Sequence, residues 1–110
     1  MKRERYHSII QSDTESCYLC GRNGCGDPLD WHHVFGGPDK KRSEKYGLMI
    51  RVCHKRCHIF DAGAIHVNKD VRLAVQEEAQ AAYEETYGDR ASWMAEFGKN
   101  YIYEDVKAAV

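Results

Sequence analysis

Apolar residues recur at every fourth position through the second half of the chain. The recurring positions are Val71, Val75, Ala79, Tyr83 and Tyr87. Residues spaced by four lie on one face of an α-helix, so this period predicts an amphipathic helix over residues 69–87. Asn68 is suited to cap its first turn, and Gly88 is suited to end it.

A second, shorter helix is predicted directly after the first. It begins at Asp89, contains Trp93 and Phe97, and stops at Gly98. A side chain that accepts backbone hydrogen bonds at the start and a glycine at the end are common helix boundaries. The apolar residues 101–102 are expected to pack back on the core.

Shorter apolar patterns precede the helices. Residues 29–35 and 48–52 are rich enough in β-branched, aromatic and other apolar side chains for two short strands, which are predicted to pair antiparallel. Between them, residues 39–46 predict one or two helical turns ended by Gly47. The order of these elements favours a small α+β fold.

Length and composition indicate one globular domain. The chain has 110 residues, of which 43% are hydrophobic and 30% charged. We divide it into an N-terminal arm (1–16), a core (17–66) and a helical support (67–110). No apolar run approaches the ~20 residues of a membrane span. The basic start MKRERYHSII lacks the apolar region of a signal peptide, so a cytoplasmic protein is expected.

Four of the five cysteines form two closely spaced pairs in the core. Cys17 and Cys20 are a CxxC pair, and Cys53 and Cys57 have one residue more between them. In a reducing compartment this spacing favours a metal ion over disulfides. Four thiolates close the coordination sphere of zinc, so the predicted zinc site is structural. Cys25 is either a loop thiol without a role or a replacement for one of these four.

Five of the six histidines also lie in the core. His32 and His33 are adjacent on the first strand, where neighbouring side chains point to opposite sides. Both can therefore serve one site only at a bend or at the end of the strand. With His58 and His66 they supply enough imidazoles for a second divalent ion with open positions and for a general base.

The charge distribution adds a candidate phosphate-binding surface. The net charge of -1 argues against a protein that coats nucleic acid, but residues 36–58 carry seven basic and two acidic side chains. A basic segment beside a metal centre suits a phosphate backbone. The candidate contacts are Lys40, Lys41, Arg42, Lys55 and Arg56.

The order of these motifs resembles a known family. CxxC, then HHVFGG, then a strand, then CHKRCH is similar to the zinc-stapled HNH endonucleases, which have a ββα-metal (His-Me finger) fold. Phage and prophage members look especially similar, with HHVFGGP, SEKYG, a CHxxCH block, a following AxH and EFGKNY near the end. The resemblance spans roughly residues 17–101. The recombination-enhancement nucleases, which depend on a recombinase filament, are a related group.

The resemblance implies a role for each matching residue. His33 takes the place of the general base, and His32, His58 and His66 take the places of metal ligands. It further implies hydrolysis of DNA to a 5′ phosphate and a 3′ hydroxyl, with Mg²⁺, Mn²⁺, Ni²⁺ or Zn²⁺ as the catalytic ion. A recombinase filament, or another phage or host protein, is a candidate partner beside DNA.

Two features depart from the family pattern. Gly47 stands where the family has its middle Asn, so Lys45, Tyr46 or a backbone carbonyl becomes a candidate to hold the base. The segment FDAGA interrupts the helix expected after the second cysteine pair, so His58 lies on a short helical turn or on a distorted element. The alternative functions are a non-catalytic zinc module that binds nucleic acid or protein, and an interaction protein of a phage assembly.

Overall fold

A two-stranded antiparallel sheet packed against helices forms the core of the protein. The structure is a computed structural model that describes residues 6–102. The strands are β1 (Leu29–His33) and β2 (Met49–Cys53), with Trp31 opposite Arg51 in the register. The predicted small mixed α/β architecture is confirmed. The first strand ends two residues earlier than predicted, and the second begins and ends one residue later.

The connection between the strands is helical, as predicted. A 3₁₀ turn (Gly37–Asp39) leads into helix α1 (Lys40–Tyr46). The helix ends at Gly47, whose φ of 70° lies in the left-handed region that glycine adopts without strain. The Ser43 hydroxyl joins α1 to the end of the sheet, since it donates to the Phe35 carbonyl at 2.7 Å and accepts from the Phe35 amide at 3.0 Å.

A single turn of π-helix follows β2 directly. It covers His54–Ile59, and its wide turn is closed by the Phe60 amide, which donates to the Lys55 carbonyl five residues earlier. We refer to this segment as the π-turn. Residues 60–68 are irregular. The helical turn thus carries His58, and the FDAGA segment lies outside it.

The two C-terminal helices are α2 (Lys69–Thr86) and α3 (Arg90–Phe97). Their predicted caps are confirmed, because Asn68 accepts from the Val71 amide and Asp89 accepts from the Ser92 amide. Most of the predicted apolar face of α2 is buried. Val71 is half-buried, and Tyr87 is the most exposed of the five at 48%, since the helix ends at Thr86 and the residue lies beyond its last turn.

Aromatic side chains join α3 to the sheet. Trp93 is fully buried, stacks on Phe97 with ring centroids 4.0 Å apart, and meets Phe35 edge-on at 5.2 Å. Tyr101 packs on this cluster and Ile102 is buried, as expected for the described part of the tail. Within residues 6–102, the structure has no helix long and apolar enough to cross a membrane. Residues 1–5 of the predicted arm and residues 103–110 of the predicted helical support lie outside the described residues.

Candidate metal centres and the cavity between them

Four cysteines meet where the N-terminal loop approaches the end of β2. The thiols of Cys17, Cys20, Cys53 and Cys57 all lie within 4.8 Å of one another. Cys17 and Cys20 sit on a tight turn, in which the Gly21 amide donates to the Cys17 carbonyl at 2.9 Å. Cys53 is the last residue of β2 and Cys57 lies on the π-turn, four residues further on. One helical turn therefore brings the more widely spaced pair together.

The pKa values of three of these thiols indicate that all four can ionise together only around a bound cation. Burial alone raises the pKa of Cys20, but hydrogen bonds from the backbone and side chain of Arg22 and from neighbouring thiols outweigh it and bring the pKa to about 6. Burial and the neighbouring thiols raise the pKa of Cys53 to about 12 and that of Cys57 further. Four sulfur atoms this close cannot all ionise unless a cation compensates them. The donor set fits a structural zinc ion.

Cys25 does not belong to this cluster. Its side chain is exposed, and its amide donates to the Asn23 side chain at 3.0 Å. The four cysteines that the structure brings together are the same four that were predicted from the two closely spaced pairs. The alternative in which Cys25 replaces one of them is not favoured.

A buried aspartate anchors the π-turn beside the cysteines. Asp27 accepts from the Lys55 amide at 2.9 Å and from the Arg56 amide at 3.0 Å. These two hydrogen bonds, and then the charges of Arg56 and His54, lower the pKa of the Asp27 carboxyl despite its desolvation. They satisfy amides of the first turn that have no partner inside the helix. The position of Cys57 and His58 thus depends on Asp27.

Three histidines form a second cluster, to which the π-turn contributes His58. Nitrogen atoms of His32, His58 and His66 lie within 4.8 Å of one another. His32 is only 5% exposed, and its Nε2 has no hydrogen-bond partner. A buried nitrogen without a partner is costly, and a metal ion would satisfy it. Burial, and then the positive charges of His58 and His66, lower the pKa of His32 to about 3, so its ring is neutral as a ligand must be.

The irregular segment after the π-turn delivers His66 to this cluster. The Ile65 amide donates to the Cys57 carbonyl at 2.7 Å, and the His66 amide donates to the His58 carbonyl at 3.1 Å. Carbonyls at the end of a helical turn have no partner within it, so the returning chain satisfies them. Arg72 on α2 adds a further bond, donating to the Ile65 carbonyl at 3.2 Å.

His33 lies at the end of β1, as a shared site required. Its Nε2 is 2.7 Å from Oε2 of Glu44 on α1, and the ring of Tyr6 meets it edge-on at 5.6 Å. His33 and the three clustered histidines line one cavity of about 300 Å³, and Lys40 lines it too. The strand end thus lets both members of the His32–His33 pair face one space, although their hydrogen-bonding surroundings differ.

The predicted phosphate contacts differ in their surroundings. Lys40 lines the cavity, whereas Lys41 and Arg42 line a different recess with Lys45. Arg42 is already paired with Asp39 at 3.0 Å and lies 3.8 Å from Glu96. Lys55 and Arg56 are exposed on the π-turn. Arg42 is therefore the least available of the five.

Sequence reasoning missed three residues of the site. Glu44 rather than Lys45 or Tyr46 contacts His33, while the Tyr46 hydroxyl donates to Glu96 at 2.8 Å. Asp30 contacts His58, and Arg72 braces the segment that carries His66. A signal for Asp30 was present, because a residue two before His32 on a strand shares its face. Nothing local pointed to Glu44 or Arg72.

Comparison of the chain with family models, with curated proteins and with solved structures finds no match in any of the three.

Proposed function

We propose that the protein is a metal-dependent endonuclease of the HNH type that hydrolyses DNA phosphodiester bonds. One observation carries the proposal. A cluster of three imidazoles, one with a buried and unpartnered Nε2, opens into the same cavity as a fourth imidazole paired with a carboxylate. A ligand set with open positions beside a general base is what metal-assisted hydrolysis requires.

His32, His58 and His66 would hold the catalytic ion. Three neutral imidazoles leave positions open for substrate, unlike the four thiolates of the zinc site. When bound, a divalent ion supplies stabilisation of the negative charge that develops on the phosphate and the leaving oxygen. Imidazole ligands suit Zn²⁺ and Ni²⁺, and Mg²⁺ and Mn²⁺ remain candidates from the family resemblance.

His33 would act as the general base. An ionised carboxylate only accepts hydrogen bonds, so Glu44 requires the proton of neutral His33 to be on Nε2. Nδ1 then carries the lone pair that takes a proton from the attacking water. As the water oxygen bonds to phosphorus, the bond to the 3′ oxygen breaks. The leaving 3′ oxygen takes a proton from solvent water, which gives a 5′ phosphate and a 3′ hydroxyl. Glu44 would stabilise the imidazolium that forms, as carboxylates do in other His-dependent hydrolases.

The DNA backbone would run from the cavity to the recess on α1. Lys40 lines the cavity, and Lys41 and Lys45 line the recess. Contacts of this kind position the backbone without reading its sequence. The ββα-metal arrangement is part of the same proposal: β1 and β2 would correspond to its two strands, and the π-turn would correspond to its helix. Phage origin and a recombinase filament as partner are proposed from the motif resemblance, and cytoplasmic location from the basic start that lacks the apolar region of a signal peptide.

We expect DNA binding to be salt-dependent and insensitive to sequence. Replacing Lys41 with Gln should reduce the slope of log binding constant against log salt by about 1, because one fewer counterion is released. Fluorescence anisotropy with two unrelated labelled duplexes measures both slopes. Lys99→Gln is the matched control, since Lys99 lies over the Tyr101 ring and lines neither the cavity nor the recess. A slope unchanged in Lys41→Gln would remove that contact from the proposal.

Metal add-back tests the enzyme directly. The protein is prepared with one equivalent of zinc, freed of other ions, and given Mg²⁺, Mn²⁺, Ni²⁺ or further Zn²⁺ separately. Cleavage of plasmid or single-stranded DNA that one of these ions restores would support the proposal. Binding of DNA without cleavage under any ion, with or without a recombinase filament, would instead indicate a non-catalytic zinc module.

A further inference from the structure

Asp30 lies at the junction of β1, the π-turn and the histidine cluster. It precedes His32 by two residues on β1, so both side chains belong to the same face of the strand. Its Oδ2 is 2.6 Å from Nδ1 of His54 and 2.8 Å from Nδ1 of His58. One carboxylate oxygen therefore bridges two imidazoles that are four residues apart on the π-turn.

This bridge determines which nitrogen of His58 can bind a metal ion. A carboxylate only accepts hydrogen bonds, so at these distances Nδ1 of each ring carries a proton. A neutral imidazole has one N–H, which leaves the lone pair of His58 on Nε2. That nitrogen faces the cluster, 3.1 Å from Nε2 of His66, and the rings of His58 and His32 are 5.2 Å apart.

We infer that Asp30 is a positioning residue that fixes His58 as an Nε2 ligand and strengthens metal binding at the histidine cluster. Metal-bound histidines commonly donate their other N–H to a carboxylate, which sets the ring's orientation and raises its basicity. His54 helps to position Asp30, because its Nδ1–H donates to the same carboxylate oxygen. The inference rests on the metal site of the proposed function but not on nuclease activity.

The geometry argues against a separate ion between Asp30 and the two rings. Those three side chains are close enough to hold one. However, the contacts of 2.6 and 2.8 Å are those of direct hydrogen bonds to one oxygen, which already satisfy both nitrogens. Asp30 therefore orients a ligand and is not itself a ligand.

Nitrogen-detected NMR of the wild-type protein tests the tautomer without any variant. Protein labelled with ¹⁵N at histidine and carrying one equivalent of zinc is measured at about pH 8, where an ordinary imidazole is neutral. We expect His58 and His54 to be protonated at Nδ1. A His58 ring protonated at Nε2 would overturn the inference, whatever the activity of the protein.

Metal affinity tests the consequence. Titration of Ni²⁺ into zinc-loaded protein should give one further site, with affinity about 10- to 100-fold weaker in Asp30→Ala and intermediate in Asp30→Asn, which keeps an acceptor oxygen. Asp39→Asn is the matched control, because it removes an equal charge from an aspartate that pairs with Arg42. Equal affinity in wild type and Asp30→Ala, or two Ni²⁺ sites in the wild type, would overturn the inference.

The two failures are distinguishable. If wild-type protein takes no further ion, the catalytic site of the proposed function is wrong, while the tautomer measurement still decides whether Asp30 orients His58. If the wild type binds Ni²⁺ and the Asp30 variants bind it equally, only the positioning role is wrong. Zinc content and circular dichroism identify any variant that fails to fold, and the wild-type spectrum then decides.

Discussion

Removal of the metal ion that the four cysteines are placed to hold, expected to be zinc, should unfold the protein. The four cysteines join two segments that are distant in the sequence: the N-terminal loop, and the end of β2 with the π-turn that follows it. Structural zinc contributes on the order of 10–16 kcal/mol in small domains at neutral pH. That is as large as the whole stability of a typical domain, which is about 5–15 kcal/mol. The folded state is therefore not expected to survive without the ion.

The experiment compares two cysteine variants under a phosphine reductant. Cys57→Ser should lose the zinc and the cooperative urea transition, because Cys57 is buried in the cluster and three remaining thiols do not close the site. Cys25→Ser is the matched control, since this exposed thiol lies outside the cluster. The reductant matters because Cys20 and Cys53 have sulfur atoms 3.5 Å apart and would otherwise be free to oxidise. A chelator-treated wild type that unfolds at an unchanged urea midpoint would contradict the zinc assignment.

The features predicted correctly from the sequence are those fixed by neighbouring residues. The caps at Asn68 and Asp89 and the stop at Gly98 depend on side chains within one turn of the helix end. The cysteine cluster follows from two short spacings that leave few other arrangements. The positions of the strand ends were predicted less accurately. A strand ends where its hydrogen-bonded partner ends, so its length depends on both strands together.

The features that were missed depend on contacts between distant segments. Glu44 meets His33 only because α1 folds back over the end of β1, where Ser43 holds it to Phe35. The π-turn forms where Asp27, far earlier in the chain, accepts two of its first amides. His66 reaches His58 through backbone hydrogen bonds that carry no sequence signal. The periodicity of β1 puts Asp30 on the same face as His32, but it does not indicate the partners of Asp30 on the π-turn.

Replacement of His33 by alanine should abolish DNA cleavage while leaving the fold and the zinc intact. Loss of a general base costs about 10²- to 10⁴-fold in rate. His33 is half-buried at a strand end and is not among the three clustered imidazoles, so its removal should spare metal binding at His32, His58 and His66. Single-turnover cleavage at saturating metal measures the rate, and zinc content and a Ni²⁺ titration check both metal sites.

His7→Ala is the matched control, because it removes an exposed imidazole that lies outside the cavity. Glu44→Gln separates orientation from chemistry. The amide of Gln offers N–H donors as well as an oxygen, so it no longer requires the His33 proton to be on Nε2, and the rate should fall between those of the wild type and His33→Ala. A His33→Ala protein that cuts at the wild-type rate would show that His33 is not the base. The carboxylate–imidazole pair at the end of β1 would then be a structural contact, and the histidine cluster alone would have to account for any cleavage.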